Sequence, residues 1–157
     1  MSDHPTDFRY VGQPRRTKED RRFIAGQGKY VADVRLPGMK HVATVASPYP
    51  HARIRSIDAS KALAMAGVSA VLTGEDLAAD TRSMQHGVHL PKIQWYPLAV
   101  GVARYAGEWV AAVVADDRYI AEDAAELVEV DYEPLPAVVD PEQAFSSTDH
   151  VVHPDHG

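Results

Sequence analysis

The sequence predicts an α/β (α+β) domain, a mixed sheet with two short alanine-rich helices, and three observations lead there. Two stretches each read as strand, alanine-rich helix, strand. The composition is globular, with 45% hydrophobic and 24% charged residues. A length of 157 residues suits one hydrophobic core and is too short for a cofactor enzyme of several domains.

Taken in order, residues 1–20 lack apolar periodicity and contain Pro5, Gly12 and Pro14, which predicts an extended arm. Gly26 and Gly28 then permit tight turns among Phe23, Ile24, Tyr30 and Val31, and Leu36-Pro37-Gly38 marks another turn. Residues 41–46 read as the first strand, rich in β-branched side chains, and Ser47-Pro48-Tyr49-Pro50 breaks it. The first unit follows: a strand over 52–57, a short helix capped by Asp58 or Ser60 and stopped by Gly67, and a strand over 68–72. The second has a strand over 109–114, a helix over 119–127 capped by Asp116 or Asp117, and a strand over 128–132. In that helix Ile120, Ala124, Leu127 and Val128 make one apolar stripe, with Glu122, Asp123, Glu126 and Glu129 outside. Pro134-Leu135-Pro136 is a rigid exit and Asp140-Pro141-Glu142 a helix start. Segment 78–106 has no clear periodicity, and a loop of that length tends to be functional or to cover a partner. The body is therefore placed at 21–145, with 146–157 as a tail.

Net charge is −6 but unevenly spread. Residues 1–40 hold nine Lys or Arg against five Asp or Glu, whereas 107–157 hold Arg118 against thirteen acids. Arg15, Arg16, Lys18, Arg21 and Arg22 are interrupted by Glu19 and Asp20 and lack interleaved stacking aromatics, so the basic segment reads as a solvated or pairing surface rather than a nucleic-acid site. The longest apolar stretch, Trp109–Ala115, is far below the roughly 20 residues of a membrane span. Residues 1–7 lack the basic and apolar parts of a secretory signal, which makes the cytoplasm the expected compartment.

The search for chemistry excludes more than it finds. With no cysteine, disulfides, thiolate zinc sites, a cysteine nucleophile and cysteine-bound iron–sulfur clusters are ruled out for this chain. Gly26-Gln27-Gly28-Lys29 lacks a third glycine, a preceding strand and a following helix, so it reads as a tight turn and not a phosphate loop. His86 and His89, and His150, His153 and His156, are spaced by three, yet they fall in loops and read as solvated side chains. No serine sits in a Gly-x-Ser-x-Gly elbow; Ser69 comes nearest, with Gly67 before it and Val71 after it. The acids after residue 107 have helix-surface spacing without a signal of burial. No catalytic, cofactor-binding or metal-ligating residue is assigned.

Four segments in order resemble one family. Arg16-Thr17-Lys18-Glu19-Asp20-Arg21-Arg22-Phe23-Ile24-Ala25-Gly26-Gln27-Gly28-Lys29-Tyr30-Val31-Ala32-Asp33 resembles the opening of the molybdenum-containing large subunit of xanthine dehydrogenase and aldehyde oxidase family enzymes. Ser47-Pro48-Tyr49-Pro50-His51-Ala52-Arg53-Ile54 resembles the family's S-P-x-x-H-A-x-I, followed by 68–77 as that pattern requires. Arg104-Tyr105-Ala106-Gly107-Glu108-Trp109-Val110-Ala111 resembles R-Y-x-G-E-P-V-A, with Trp109 where proline is usual. Ala121-Glu122-Asp123-Ala124-Ala125 and Val130-Asp131-Tyr132-Glu133-Pro134-Leu135-Pro136 complete the match. Each piece is weak alone and specific in combination.

The resemblance implies the α/β hammerhead, first domain of bacterial carbon monoxide and aldehyde dehydrogenase-like large subunits. It also implies a holoenzyme that oxidises a carbon centre with water, using molybdopterin, two [2Fe-2S] clusters and FAD, none of them bound by this chain alone. The chain is then a structural or interaction component, with a molybdopterin-binding large subunit and iron–sulfur and FAD subunits or domains as partners. Interface candidates are Arg21, Phe23, Tyr30, Asp33, Trp95, Tyr96, Arg104, Glu108 and Trp109. The basic start and acidic end become docking faces of opposite sign. Two rival readings stay open: a stand-alone small-molecule-binding module using segment 78–106, and an assembly factor for the same enzymes.

Overall fold

The structure, a computed structural model, describes residues 10–84, 93–146 and 151–154. The chain divides into two compact units, Met1–Gly38 and Met39–Gly157. In the first, helix α1 (Asp20–Ile24) precedes a 3-10 turn at Val31–Asp33. Asp20 accepts the Thr17 amide at 2.9 Å and so caps the approach to α1. Gly26, at φ +69°, ends it. The Phe23 ring stacks on Tyr30, centroids 5.1 Å apart, and lies so close to Gly28 that a Cβ there would sit 2.0 Å from the ring. Both glycines thus serve the turn that the sequence predicts.

The second unit holds β1 (His41–Ala46), β2 (Ala52–Asp58), α2 (Ser60–Leu63), β3 (Val68–Thr73) and α3 (Gly74–Asp80). It continues with β4 (Val102–Ala103), β5 (Trp109–Ala115), α4 (Arg118–Glu126), β6 (Glu129–Pro134) and α5 (Pro141–Ser146). Local signals set the helix starts. Asp58 accepts the Ser60 amide at 2.9 Å, Asp117 the Tyr119 amide at 2.7 Å and Asp140 the Glu142 amide at 2.9 Å. Gly67, at φ +88°, closes the turn after α2.

The α+β class holds, but its strands form two sheets in place of one mixed sheet. The orders are β1-β5-β3 and β4-β2-β6, and every pairing between these strands is antiparallel. Each strand–helix–strand unit divides its strands: β2 and β6 pair in one sheet, β3 and β5 in the other. Length explains the first division. Only nine residues, 59–67, separate β2 from β3, whereas a parallel crossover takes about a dozen or more. The connection therefore carries the chain across to the other sheet.

Helix α4 packs on the first sheet through Ala121 and Ala124, both fully buried, while Leu127 is 39% exposed. The predicted stripe through Leu127 is thus corrected by one position, because the helix lies close enough to the sheet that methyl groups fill the gap. One buried cluster joins Ala62, Ala111, Val113, Ala124 and Val128; a second joins Ala99, Ala103 and Val110; Val45 and Val130 pack on both. Among the described residues the largest fully buried side chains are two valines, Val110 and Val113.

Helix α3, absent from the sequence reading, starts with a reciprocal cap. Thr73 Oγ1 accepts the Asp76 amide at 3.3 Å, and Asp76 accepts the Thr73 amide at 2.8 Å and its hydroxyl at 2.7 Å. At its first position Gly74 lies against the Ala99 carbonyl, where a Cβ would come within 1.9 Å of the oxygen. Glu75 accepts the Gly101 amide at 3.2 Å. Segment 98–101 is held against α3 by these two contacts.

Gly74→Ala is expected to destabilise the chain by about 3 kcal/mol or more, since backbone must move to admit the methyl group; chemical denaturation measures it. The bonds from Thr73 hold the Asp76 carboxyl below the usual aspartate range. Its contribution is therefore complete above that range, about pH 4, and is lost as pH falls through the lower folded value. Asp76→Asn should lower stability at neutral pH and flatten that acid limb in a pH series of melting curves.

Candidate functional site

The family-like segments meet in space. Ser47, 2% exposed, donates its amide to the Glu108 carbonyl at 2.8 Å and accepts the Gly107 amide on its own carbonyl at 2.8 Å. Its hydroxyl accepts the Tyr49 amide at 3.1 Å and so folds the proline-rich loop back on itself. His51 bonds through Nδ1 to the Pro136 carbonyl at 2.7 Å, and its carbonyl accepts the Leu135 amide at 2.9 Å. The motif residues tie three loops together. Burial pushes the Tyr132 phenol above its ordinary value, with Tyr49 adding to the rise and Ser47 opposing it. The Tyr49 and Tyr132 rings lie 5.4 Å apart over this junction.

Residues 105–108 form a turn in which the Glu108 amide donates to the Tyr105 carbonyl at 3.2 Å and Gly107 takes φ +91°. That angle at the third position requires glycine. The Glu108 carboxylate reaches back to accept the Arg104 amide. It also lies 4.0 Å from the Arg104 guanidinium, whose Nη1 donates to the Val102 carbonyl at 3.0 Å. Both side chains are largely covered, 29% and 15% exposed.

Beside this pair opens a cavity of about 520 Å³, lined among others by Trp95, Tyr96, Tyr105, Arg104, Glu108 and His153. Four of the nine interface candidates, Trp95, Tyr96, Arg104 and Glu108, thus come together here. The Trp95 and His153 rings are 6.3 Å apart, and Met84 bridges to Trp95 across the segment the sequence left unread. Sequence reasoning missed Tyr105 and His153 as cavity lining, since nothing local marks residues some fifty positions apart as neighbours. Trp109 lies elsewhere, 51% exposed on the first sheet. Arg21, Phe23, Tyr30 and Asp33 belong to the first unit, where Asp33 accepts the Tyr30 amide at 2.9 Å and Arg21 and Tyr30 are exposed.

The residues do not fit the cofactors that the resemblance implies. A [2Fe-2S] cluster needs thiolates, and the chain has no cysteine. The phosphate-bearing molybdopterin and FAD need cations or converging amides. Among the described residues Arg104 is the one Lys or Arg lining the cavity, and it is engaged by Glu108 and the Val102 carbonyl. Among the described residues no group of three or more His, Asp or Glu is placed to hold a metal ion; His86, His89, His150 and His156 lie outside them. The acids after residue 107 are in part neutralised within their own unit: Asp116 by Lys40, Glu122 by Arg118, Glu129 by Lys61, and Glu133 by Arg53 and Arg55. That leaves less of the predicted acidic docking face than the composition suggests.

Glu108→Ala should cost about 2 kcal/mol, because it strips a largely covered arginine of its counter-charge and an amide of its acceptor. Denaturation of Arg104→Ala, Glu108→Ala and the double variant tests this: the double loss is expected to be smaller than the sum of the single losses.

No helix among the described residues is long and apolar enough to cross a membrane. The family described as aldehyde oxidase and xanthine dehydrogenase, a/b hammerhead domain, matches residues 25–136. The carbon monoxide dehydrogenase large chain of Hydrogenophaga pseudoflava is 42% identical over 147 residues, covering 88% of this chain and 17% of its own. Quinoline 2-oxidoreductase from Pseudomonas putida 86 superposes with a TM-score of 0.74 at 46% identity, covering 82% of this chain and 17% of its own. A Cu,Mo-CO dehydrogenase does so at 0.72 and 48%, covering 85% and 16%. The chain spans about a sixth of the length of these relatives. With the family model matching residues 25–136, the chain belongs to the aldehyde oxidase and xanthine dehydrogenase a/b hammerhead family.

Proposed function

We propose that this domain is a structural and docking component of a molybdenum-dependent hydroxylase or dehydrogenase that oxidises an aldehyde, N-heterocycle or similar carbon centre. The observation that carries this reading is the pairing of high identity with low coverage: 42% identity to a carbon monoxide dehydrogenase large chain of which it matches 17%. Redox chemistry is then supplied by molybdopterin, [2Fe-2S] clusters and FAD held on other polypeptide, in the cytoplasm. This chain's own residues shape and position. Arg104 and Glu108 line the cavity, the Ser47 bonds to Gly107 and Glu108 hold the turn behind it, and Trp95 and Tyr96 face whatever closes it. Residues 21–145 act as the hammerhead, with 1–20 as its arm and 146–157 as its tail. Relatives named for carbon monoxide and for quinoline share this domain, which supports placing substrate choice elsewhere.

The cavity favours a second reading, since about 520 Å³ lies within the range of small-molecule sites. In that reading the domain is a stand-alone binding module. An assembly factor is the third possibility.

Affinity purification of the tagged chain from its source cells separates the three. A stable complex containing molybdenum, iron and flavin is the expected result, and the isolated chain should reduce no artificial electron acceptor with aldehydes, purines or N-heterocycles. A monomer with affinity for such compounds would support the binding module. Association with apoenzyme alone would support the assembly factor.

A further inference from the structure

The three strands of the first sheet, HVATVA, VSAVLT and WVAAVVA, contain no Asp, Glu, Lys or Arg. One face of this sheet is covered by α4 and the alanine–valine core. The register defines the other. Val42 pairs with Val114, Thr44 with Ala112, and Ala70 and Leu72 with Val114 and Ala112. Between Val45 and Ala46 the register shifts, so that Val45 faces Ala111 but Ala46 faces Trp109, skipping Val110. Such a bulge turns two successive side chains to one side. Val110 joins Ala111 in the core, both fully buried, and Trp109 is delivered to the outside with Ala112 and Val114.

The outer face so formed carries Val42, Ala46, Ala70, Leu72, Trp109, Ala112 and Val114 together with the uncharged Thr44, and exposed Ser69, skipped by a second register shift between Val68 and Ala70, stands at its end. Val42 is 62% exposed, Trp109 51% and Leu72 37%. An antiparallel sheet that faces water places polar side chains on its wet side. The second sheet does so, with Arg53, Arg55 and Glu133 paired across its exposed surface. The contrast lies within one domain of one chain.

Three strands about 4.8 Å apart and about 20 Å long give a footprint on the order of 300 Å². A stable complex needs about 800 Å² per partner, so a symmetric pair of these faces falls short. An occupant that touches the domain at other places as well makes up the difference. Relatives that match 88% of this chain match it with only 17% of their own length, which supplies such an occupant. Resting on the reading proposed above, the geometry points to the outer face of β1-β5-β3, around Val42, Leu72 and Trp109, as the docking surface for the later part of a molybdenum hydroxylase large polypeptide. An apolar, uncharged surface of that polypeptide, joined to this chain or separate from it, seats on Trp109 as a central aromatic anchor.

Photo-crosslinking in the source cells tests the assignment, with p-benzoylphenylalanine at Trp109 and, as a control, at Glu122 on the exposed side of α4. Irradiation followed by peptide mass spectrometry should join position 109 to residues of the large polypeptide beyond its hammerhead. Adding Val42→Glu should cut that product at least tenfold while leaving the melting temperature of the free chain unchanged, because Val42 is already exposed there. A product at 109 with a second copy of this chain or with lipid overturns the proposal. So does failure at 109 when position 122, or purification of the complex, still yields the large polypeptide. Absence of the large polypeptide from both positions and from the purified complex overturns the broader reading as well.

Discussion

A helix approaches a sheet closely only where both present small side chains, and the contact of α4 with the first sheet is built that way. Ala124 meets Ala111 and Val113, Ala62 enters from α2, and Val128 closes the end. The topology depends on this contact. With α4 lying on β5 and β1, the strands before and after it are sent to different sheets, and Val45 and Val130 bridge the two clusters. Substituting a larger residue at Ala121 or Ala124 would push the helix outward and open both clusters together.

The same constraint limits what the core contributes. Stabilisation from burial scales with apolar area, at about 25 cal/mol per Å², and methyl groups bury little of it. No leucine, isoleucine or phenylalanine appears among the fully buried side chains of the described residues, while Ile24, Leu36, Val42, Leu63, Trp109 and Phe145 stand more than half exposed. Among the described residues of the second unit, the buried hydrophobic ones other than Leu98 are thus alanines and valines, while larger apolar residues stand outside. Hydrogen bonds of the loops compensate in part, through Ser47, His51, Asp76 and Glu108. Exposed apolar surface of this kind is what contact with other polypeptide would cover, in keeping with the docking role proposed above.

How far the sequence made this visible follows from the range of each signal. Strands β1, β2, β3, β5 and β6, the turn at Gly26, the stop at Gly67 and the helix start at Asp140 are legible because each rests on a few adjacent residues; the other caps narrow only to Asp58 or Ser60 and to Asp116 or Asp117, and helix α1 ahead of Gly26 is not predicted. Helix α3 was missed although its signal was present: Thr73 and Asp76 have capping-box spacing, but aspartate stands where glutamate or glutamine is usual. The apolar stripe of α4 was set one position wrong because hydrophobicity ranks Leu127 above Ala121, whereas a close helix–sheet contact selects the smaller residue. Partition into two sheets was illegible, since a strand–helix–strand pattern does not state which strand its second member joins.

The cavity and the outer face mark the limit more sharply. Arg104 and Glu108 are four residues apart, and their turn could be inferred from Gly107; their meeting with Trp95 and His153 depends on chain paths that no local pattern records. Trp109 shows the converse. Its place in an R-Y-x-G-E segment gave it a family context, but strand alternation from Ala111 and Val113 would put it in the core. The skipped residue Val110 reverses that parity and brings the large aromatic outside. An ordinary buried tryptophan at this position would have filled the valine–alanine core and forced α4 away. By displacing it, the bulge keeps the core small enough for close packing and places the indole beside Ala46 and Ala112, so the condition that holds the domain together also exposes its apolar face.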